Sequence, residues 1–425
     1  MGNIYYTVTT VTDFGPFHTK LVLGLGTQVD AEAVSADAFN VYVERRASNG
    51  ETLMLPKSWE EQHIRVASRG YGVVKDAYPS TQSGERLPSG EYVTLELKLQ
   101  PFGVNSPLAA PNGLNEFVLC DYRITQTAVI ESTAGSLSGL VFDRCAGDTM
   151  SQAEKFLHGR SSYAEEPLGY GYYAPQHGGG RRPLIIWLHG AGEGGQDPTV
   201  AYAGNKVVHL ASDDIQALFG GAFVLTPQTP TFWMDDGSGQ YGRTGKSRYS
   251  AALKALIDEF IARNDAAIDT SRIYIGGCSN GGFMTMRMVL DHPDFFAAAY
   301  PVCEALYDET ISDADIEAIR HVPIWFTHAR ADNVVKPEET SIPTYERLLR
   351  AGASEVHFSL FDEVIDLHGL FAEEQGEPYV YHGHFSWIYM LNDDCRLDYD
   401  DKPVIVDGKE VSLLQWLAQQ ARTRK

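Results

Sequence analysis

The segment "RIYIGGCSNGGFMTMRMVL" most constrains what this chain can fold into. An apolar run ends at Gly277, Ser279 and Gly281, spaced as GxSxG, and a helix-like run with Met284, Met286 and Met288 follows. A serine held in a sharp strand-to-helix turn has a strained backbone, and strand and helix then pass so close that only small residues fit two positions before and after it. The spacing therefore predicts a strand, a turn presenting the Ser279 hydroxyl at the carboxyl end of a sheet, and a helix whose methionines are core. A bare GxSxG also occurs in ordinary tight turns, and the flanking strand and helix are what distinguish this one.

The surrounding chain supplies the sheet. Apolar runs at 184–188, 223–225, 273–275, 297–300, 324–326 and 356–360 read as buried strands. Between the second and third, Tyr249, Leu253, Leu256, Ile257 and Phe260 fall on one helical face that could cover a sheet. This alternation predicts an α/β domain with a mostly parallel sheet flanked by helices. Near the end, "VIVDGKEV" reads as a hairpin around Asp407 and Gly408, followed by a short helix with Ser412 and Gln415 as a capping box. Residues 1–142 differ in texture. Short alternating runs, with Phe39, Val41 and Val43 on one face and Val93, Leu95 and Leu97 on another, are separated by turn-rich stretches, as in an all-β sandwich. Two domains are expected, 1–142 and 143–425.

A second glycine-rich turn, in "PLIIWLHGAGEGG", also follows a strand-like run. Gly190, Gly192 and Gly195 match the GxGxxG spacing that lets backbone N–H groups approach a dinucleotide phosphate. That reading also needs a helix opening at Gly192 and an acidic strand end about twenty residues on. The "DPTVAYAGNKVVHLASDD" that follows offers no such strand end. A serine nucleophile needs donors for the oxyanion that forms on the attacked carbonyl, one from the residue after the serine and one from an earlier strand-end glycine loop. Asn280 and Ala191, the latter beside Gly192, fit those positions.

The serine also needs a base and the base an orienting acid, in the chain order Ser, acid, His. "PIWFTHARADNVVKP" ends a strand and delivers Asp332 into a loop; Asp362, Glu363 and Asp366 are rival acids on the next strand and its loop. "YHGHFSWIYMLNDD" offers His384, which directly precedes a helix-like run, with His382 and His368 as alternatives. Trp233, Glu304 and Trp387 lie near predicted strand ends or triad members and are candidates to line a substrate pocket with Gly192. Their bland reading is aromatic packing and a solvated carboxylate.

Composition narrows the partners. The 425 residues carry 56 acidic against 34 basic side chains, a formal charge of -22, and such a field repels nucleic acid and anionic lipid. No apolar run reaches the ~18 residues of a membrane helix. The N-terminal "MGNIYYTVTTVTDFG" lacks the charged and apolar regions of a secretory signal, so the expectation is cytoplasmic, or secreted if a leader preceded this stretch. Five cysteines, widely spaced and without a CxxC or Cys/His cluster, read as mostly buried thiols, and no metal motif such as HExxH occurs.

Quoted as they stand, "LHGAGEGG", "IYIGGCSNGG", "ADNVV" and "GHFSW" resemble the α/β-hydrolase superfamily. More narrowly, the chain is similar to bacterial esterases and peptidases related to prolyl oligopeptidase and polyhydroxybutyrate depolymerase. "TDFGPFHTKLVLGL" and "FNVYVERR" look like the start of the immunoglobulin-like N-terminal domain that one esterase subgroup carries. The resemblance implies Ser279 as nucleophile, Asp332 as acid and His384 as base, acting on a small-molecule or oligomeric ester without metal or organic cofactor. It leaves homo-oligomerisation open. The alternatives are a serine peptidase of prolyl-oligopeptidase type and a binding module on a hydrolase scaffold.

Overall fold

The computed structural model describes residues 3–57, 61, 63–176, 179–371 and 376–422. The chain divides into two compact units, Met1–Glu154 and Lys155–Lys425.

The first unit is a β-sandwich. One five-stranded sheet orders Arg144–Thr149, Ile4–Thr12, Gly15–Asp30, Ser89–Leu97 and Val74–Ser80; the facing four-stranded sheet orders Val141–Phe142, Leu119–Gln126, Phe39–Arg46 and Arg69–Gly72. Alternation sets the inner face of each strand, and Leu21, Leu23, Val93 and Leu95 pack with Val41, Val43, Tyr122 and Ile124. The expected boundary at 142 moves, because Arg144–Thr149 pairs in parallel with Ile4–Thr12 and so belongs to this unit. All six of its residues are exposed. An edge strand wet on both faces has no hydrophobic period to read.

The second unit is built on an eight-stranded sheet of β1 (Leu157–Arg160), β2 (Gly169–Tyr173), β3 (Arg182–Leu188), β4 (Phe223–Gln228), β5 (Ile268–Cys278), β6 (Ala298–Val302), β7 (Ile324–Ala329) and β8 (Val356–Phe361). The spatial order is β1-β2-β4-β3-β5-β6-β7-β8. β1 and β2 run antiparallel to their neighbours, and the rest are parallel. Every residue of β4, β6 and β7 is buried, which explains why those strands read as continuous apolar runs. Helices α1 (Ser250–Arg263) and α2 (Asn280–Asp291) flank the sheet. Leu253, Leu256, Ile257 and Phe260 of α1 share a core with Leu184, Ile186 and Leu225. Burying each such side chain is worth ~1.5–3 kcal/mol, whereas ordinary residues differ in helix propensity by only ~0.7 kcal/mol, so the apolar face decides where α1 lies. The terminal hairpin pairs Ile405–Val406 with Lys409–Glu410 and turns through positive φ at Asp407 and Gly408; Ser412 and Gln415 form the expected capping box.

Candidate active site

Ser279 sits between β5 and α2 with φ 55° and ψ -113°, a conformation costing a non-glycine residue on the order of 1–3 kcal/mol. Two backbone hydrogen bonds hold it there. Its N–H donates to the Val302 carbonyl of β6 at 2.9 Å, and its carbonyl accepts from Phe283 N–H at 2.9 Å. The flanking glycines are required by close approach. A Cβ on Gly281 would run into the Leu188 carbonyl at the end of β3 and lie 2.7 Å from the His189 carbonyl, and one on Gly277 would also collide with Leu188.

His384 Nε2 lies 2.9 Å from Ser279 Oγ, and its Nδ1 lies 2.7 Å from Asp332 Oδ2. A carboxylate only accepts, so Nδ1 donates to Asp332 and Nε2 is left to accept the Ser279 hydroxyl proton. Asp332, in the loop after β7, is tightly satisfied: Oδ1 accepts the N–H groups of Val334 and Val335, both at 2.9 Å, and Oδ2 also accepts from His328 Nε2 at 3.0 Å. Burial alone pushes this carboxyl up, but the hydrogen bonds from His328 and His384 outweigh it and hold the group well below the usual carboxylate range.

His328 is absent from the sequence reading. It lies within β7, fully buried, with Nδ1 2.7 Å from Ser341 Oγ and Nε2 3.0 Å from the Val335 carbonyl. The carbonyl requires the proton on Nε2, so the ring donates to Asp332 from behind. A histidine inside an apolar strand reads as packing, and its four-residue spacing from Asp332 is the one signal that could have marked it.

The rivals are occupied elsewhere. Asp362 is exposed beside Arg330; Asp366 caps the backbone of His368 and Phe371; His368 pairs with Asp394; and His382 Nδ1 accepts the His384 N–H at 3.2 Å. The long loop after β8 folds on itself, pairing Val364–Ile365 with Val380–Tyr381, and so returns His384 to the serine.

Ala191 and Asn280 follow the paired ends of β3 and β5, where Leu188 aligns with Gly277. Asn280 opens α2, whose first N–H groups have no partner within the helix and carry its positive dipole end. Ala191 opens a 3-10 turn, Ala191–Glu193, with Gly192 beside it. That turn is braced by His189, whose Nδ1 donates to the Gly190 carbonyl at 2.6 Å and whose Nε2 accepts the Thr229 N–H at 3.1 Å. Burial pushes the imidazole down to about 4, so it serves as a neutral strut.

The remaining candidates divide. Trp387 is half-buried and stands edge-on to the His384 ring at 5.6 Å. Trp233 and Glu304 are both buried, at 0% and 1% exposure. Trp233 packs 5.2 Å from the His189 ring, because the chain leaving β4 dives into the core there. Glu304 follows β6, and its Cα and Cβ press on Gly282 of α2, where an added Cβ would lie 2.7 Å from Glu304 Cα. Its Oε2 accepts the Leu306 N–H at 2.7 Å, and burial pushes the carboxyl up to about 8.

Comparison with known proteins agrees with this architecture. Residues 4–139 match the esterase Ig-like N-terminal domain, and residues 231–339 match the prolyl oligopeptidase family. The chain is 28% identical over 135 residues to a poly(3-hydroxybutyrate) depolymerase of Ralstonia pickettii, covering 30% of this chain and 27% of that one. It is 30% identical over 131 residues to feruloyl esterase B of Neurospora crassa, covering 30% of this chain and 40% of that one. Its alignments thus span well under half the length of either relative. The solved structure of a thermostable esterase superposes with a TM-score of 0.73 at 23% identity, covering 99% of this chain and 100% of that one, and shows the same fold. The chain thus carries a stretch that matches the esterase Ig-like N-terminal domain, followed by an α/β-hydrolase fold in which residues 231–339 match the prolyl oligopeptidase family.

Proposed function

We propose that this protein is a serine hydrolase that cleaves carboxylic esters through an acyl-enzyme. Ser279 Oγ attacks the ester carbonyl as His384 Nε2 takes its proton; Asp332 holds the imidazole tautomer and stabilises the imidazolium. The Ala191 and Asn280 N–H groups receive the charge that develops on the carbonyl oxygen. His384 returns the proton to the departing alcohol, then activates the water that releases the acid. The observation that carries this reading is the unbroken hydrogen-bond chain from Ser279 Oγ through His384 to Asp332, with the serine in its strained turn. An ester substrate is favoured because the names of both relatives, a polyester depolymerase and a feruloyl esterase, describe ester cleavage. The formal charge of -22 disfavours nucleic acid or an anionic membrane as partner.

The prolyl oligopeptidase match supports a second reading, amide cleavage by the same triad. Ester turnover by the intact protein and by Ser279→Ala, beside a matched anilide, tests both. We expect a loss of at least ~10³-fold in the variant, with stoichiometric fluorophosphonate labelling of Ser279 in the parent. Ester turnover surviving in a folded Ser279→Ala protein overturns the assignment, and faster anilide than ester turnover selects the peptidase.

A further inference from the structure

Resting on the ester-hydrolase reading of this site, we propose that the ring pair Phe232 and Tyr241 forms a stacking subsite for a planar ring of the substrate. The two rings stack at 4.2 Å with 25° between their planes, and Tyr241 is 63% exposed while Phe232 is half-buried beneath it. They ride on the segment joining β4 to α1, which is tied to the catalytic edge at its start. The Met234 N–H donates to Asn280 Oδ1 at 3.2 Å, one residue beyond Ser279, and the Thr229 N–H donates to His189.

The same segment is fastened at its far end. The Arg243 guanidinium lies 3.9 Å over the Tyr307 ring, on the chain leaving β6, and pairs with Glu339 at 3.0 Å. Between these anchors, Asp235 Oδ1 accepts the N–H groups of Gly237 and Gly239, and Asp236 accepts from Ser238 N–H and the Thr244 hydroxyl. A stretch containing Gly237, Gly239, Gly242 and Gly245 would be loose without such bonds. Bracing an outward aromatic ring this thoroughly does little for folding, since the ring stays wet, but it removes the ordering cost of stacking a second ring on it. Both rings are neutral, so the surface selects by planarity rather than charge. Trp387 stands edge-on to His384 and 4.8 Å from Phe385, so an aromatic ring also lies beside the histidine.

The test uses two matched substrate pairs: ethyl 3-phenylpropanoate against ethyl 3-cyclohexylpropanoate, with the ring in the acyl half, and benzyl acetate against cyclohexylmethyl acetate, with the ring in the alcohol half. We expect the planar member to be favoured in kcat/KM by about five- to tenfold in one pair, identifying the half that stacks. Tyr241→Ala should bring that ratio close to one, and Tyr241→Phe should retain it. Ratios in Tyr241→Ala equal to those of the parent in both pairs overturn the subsite, as does loss of the preference in Tyr241→Phe. Fluorophosphonate labelling run alongside separates the two failures. Labelled, active protein without ring preference removes the subsite alone, whereas a parent that is neither labelled at Ser279 nor active on any of the four esters removes the hydrolase reading and the subsite with it.

Discussion

Two carboxyl groups follow the ends of adjacent strands, Glu304 after β6 and Asp332 after β7, and both are buried, at 1% and 3% exposure. Their protonation differs because their donors differ. Asp332 accepts four hydrogen bonds, from His384, His328, Val334 and Val335, and stays ionised far into the acid range. Glu304 accepts one, from Leu306 N–H; its Oε1 is buried with no hydrogen-bond partner among the described residues. Burial then dominates and, with Asp308 nearby, pushes it up to about 8, so at neutral pH it is mostly the acid. A hydrogen bond to a charged group is worth ~1.5–3 kcal/mol net, so three further donors are enough to reverse the effect of desolvation. For two carboxyls both withdrawn from solvent, the donors around each, added to its burial, decide whether it stays ionised.

The largest expected effect comes from removing the better-satisfied group's charge. Asp332→Asn should lower kcat/KM by about 10³- to 10⁴-fold, because an amide no longer holds the His384 tautomer. Stability should move as well. A carboxyl whose folded pKa is depressed contributes stability above its unfolded value of ~4, and that contribution is lost as pH falls through the folded value. The gap in urea midpoint between parent and Asp332→Asn should therefore narrow as pH falls below ~4; a gap that widens from about pH 4 to 2 contradicts this account.

Glu304→Gln should act in the opposite direction. The folded state keeps a proton that the unfolded chain gives up near ~4.3, so stability falls as pH rises between that value and about 8. The variant should match the parent near pH 4 and exceed it by on the order of 4–5 kcal/mol at pH 8 in urea unfolding. A difference that stays flat with pH would show that Glu304 is ionised where it lies. The smallest effect is expected at an exposed carboxyl. Asp258, paired with Lys254 at 2.6 Å on the surface of α1, should yield ~0.3–0.5 kcal/mol on change to Asn in the same experiment at pH 7.

The sequence reveals those parts of the site that are local. Ser279 is legible because strand, turn and helix are contiguous, and the glycines at 277 and 281 register how closely β3 passes. Asp332 is legible as a strand-end acid, but its preference over Asp362 and Asp366 depends on which of them face solvent or cap their own loop. His384 is separated from Ser279 by 105 residues and from Asp332 by 52, and its advantage over His382 follows from the ribbon that closes the loop after β8. The contact of His328 with Asp332, the protonation of Glu304 and the true end of the first unit are not legible in this way. A polar group in an apolar run, or an edge strand wet on both faces, leaves no period in the chain.

By itself the sequence determined the sandwich, the α/β alternation, the strained turn at Ser279 and the acidic surface, since each rests on residue spacing, chirality or composition acting over a few neighbouring positions. Tertiary structure alone decided which acid and histidine meet the serine, which carboxyl keeps its proton, and which aromatic rings pair with one another. Those outcomes depend on distances of about 3 Å between groups brought together from distant segments, and on how many donors surround each once water is excluded.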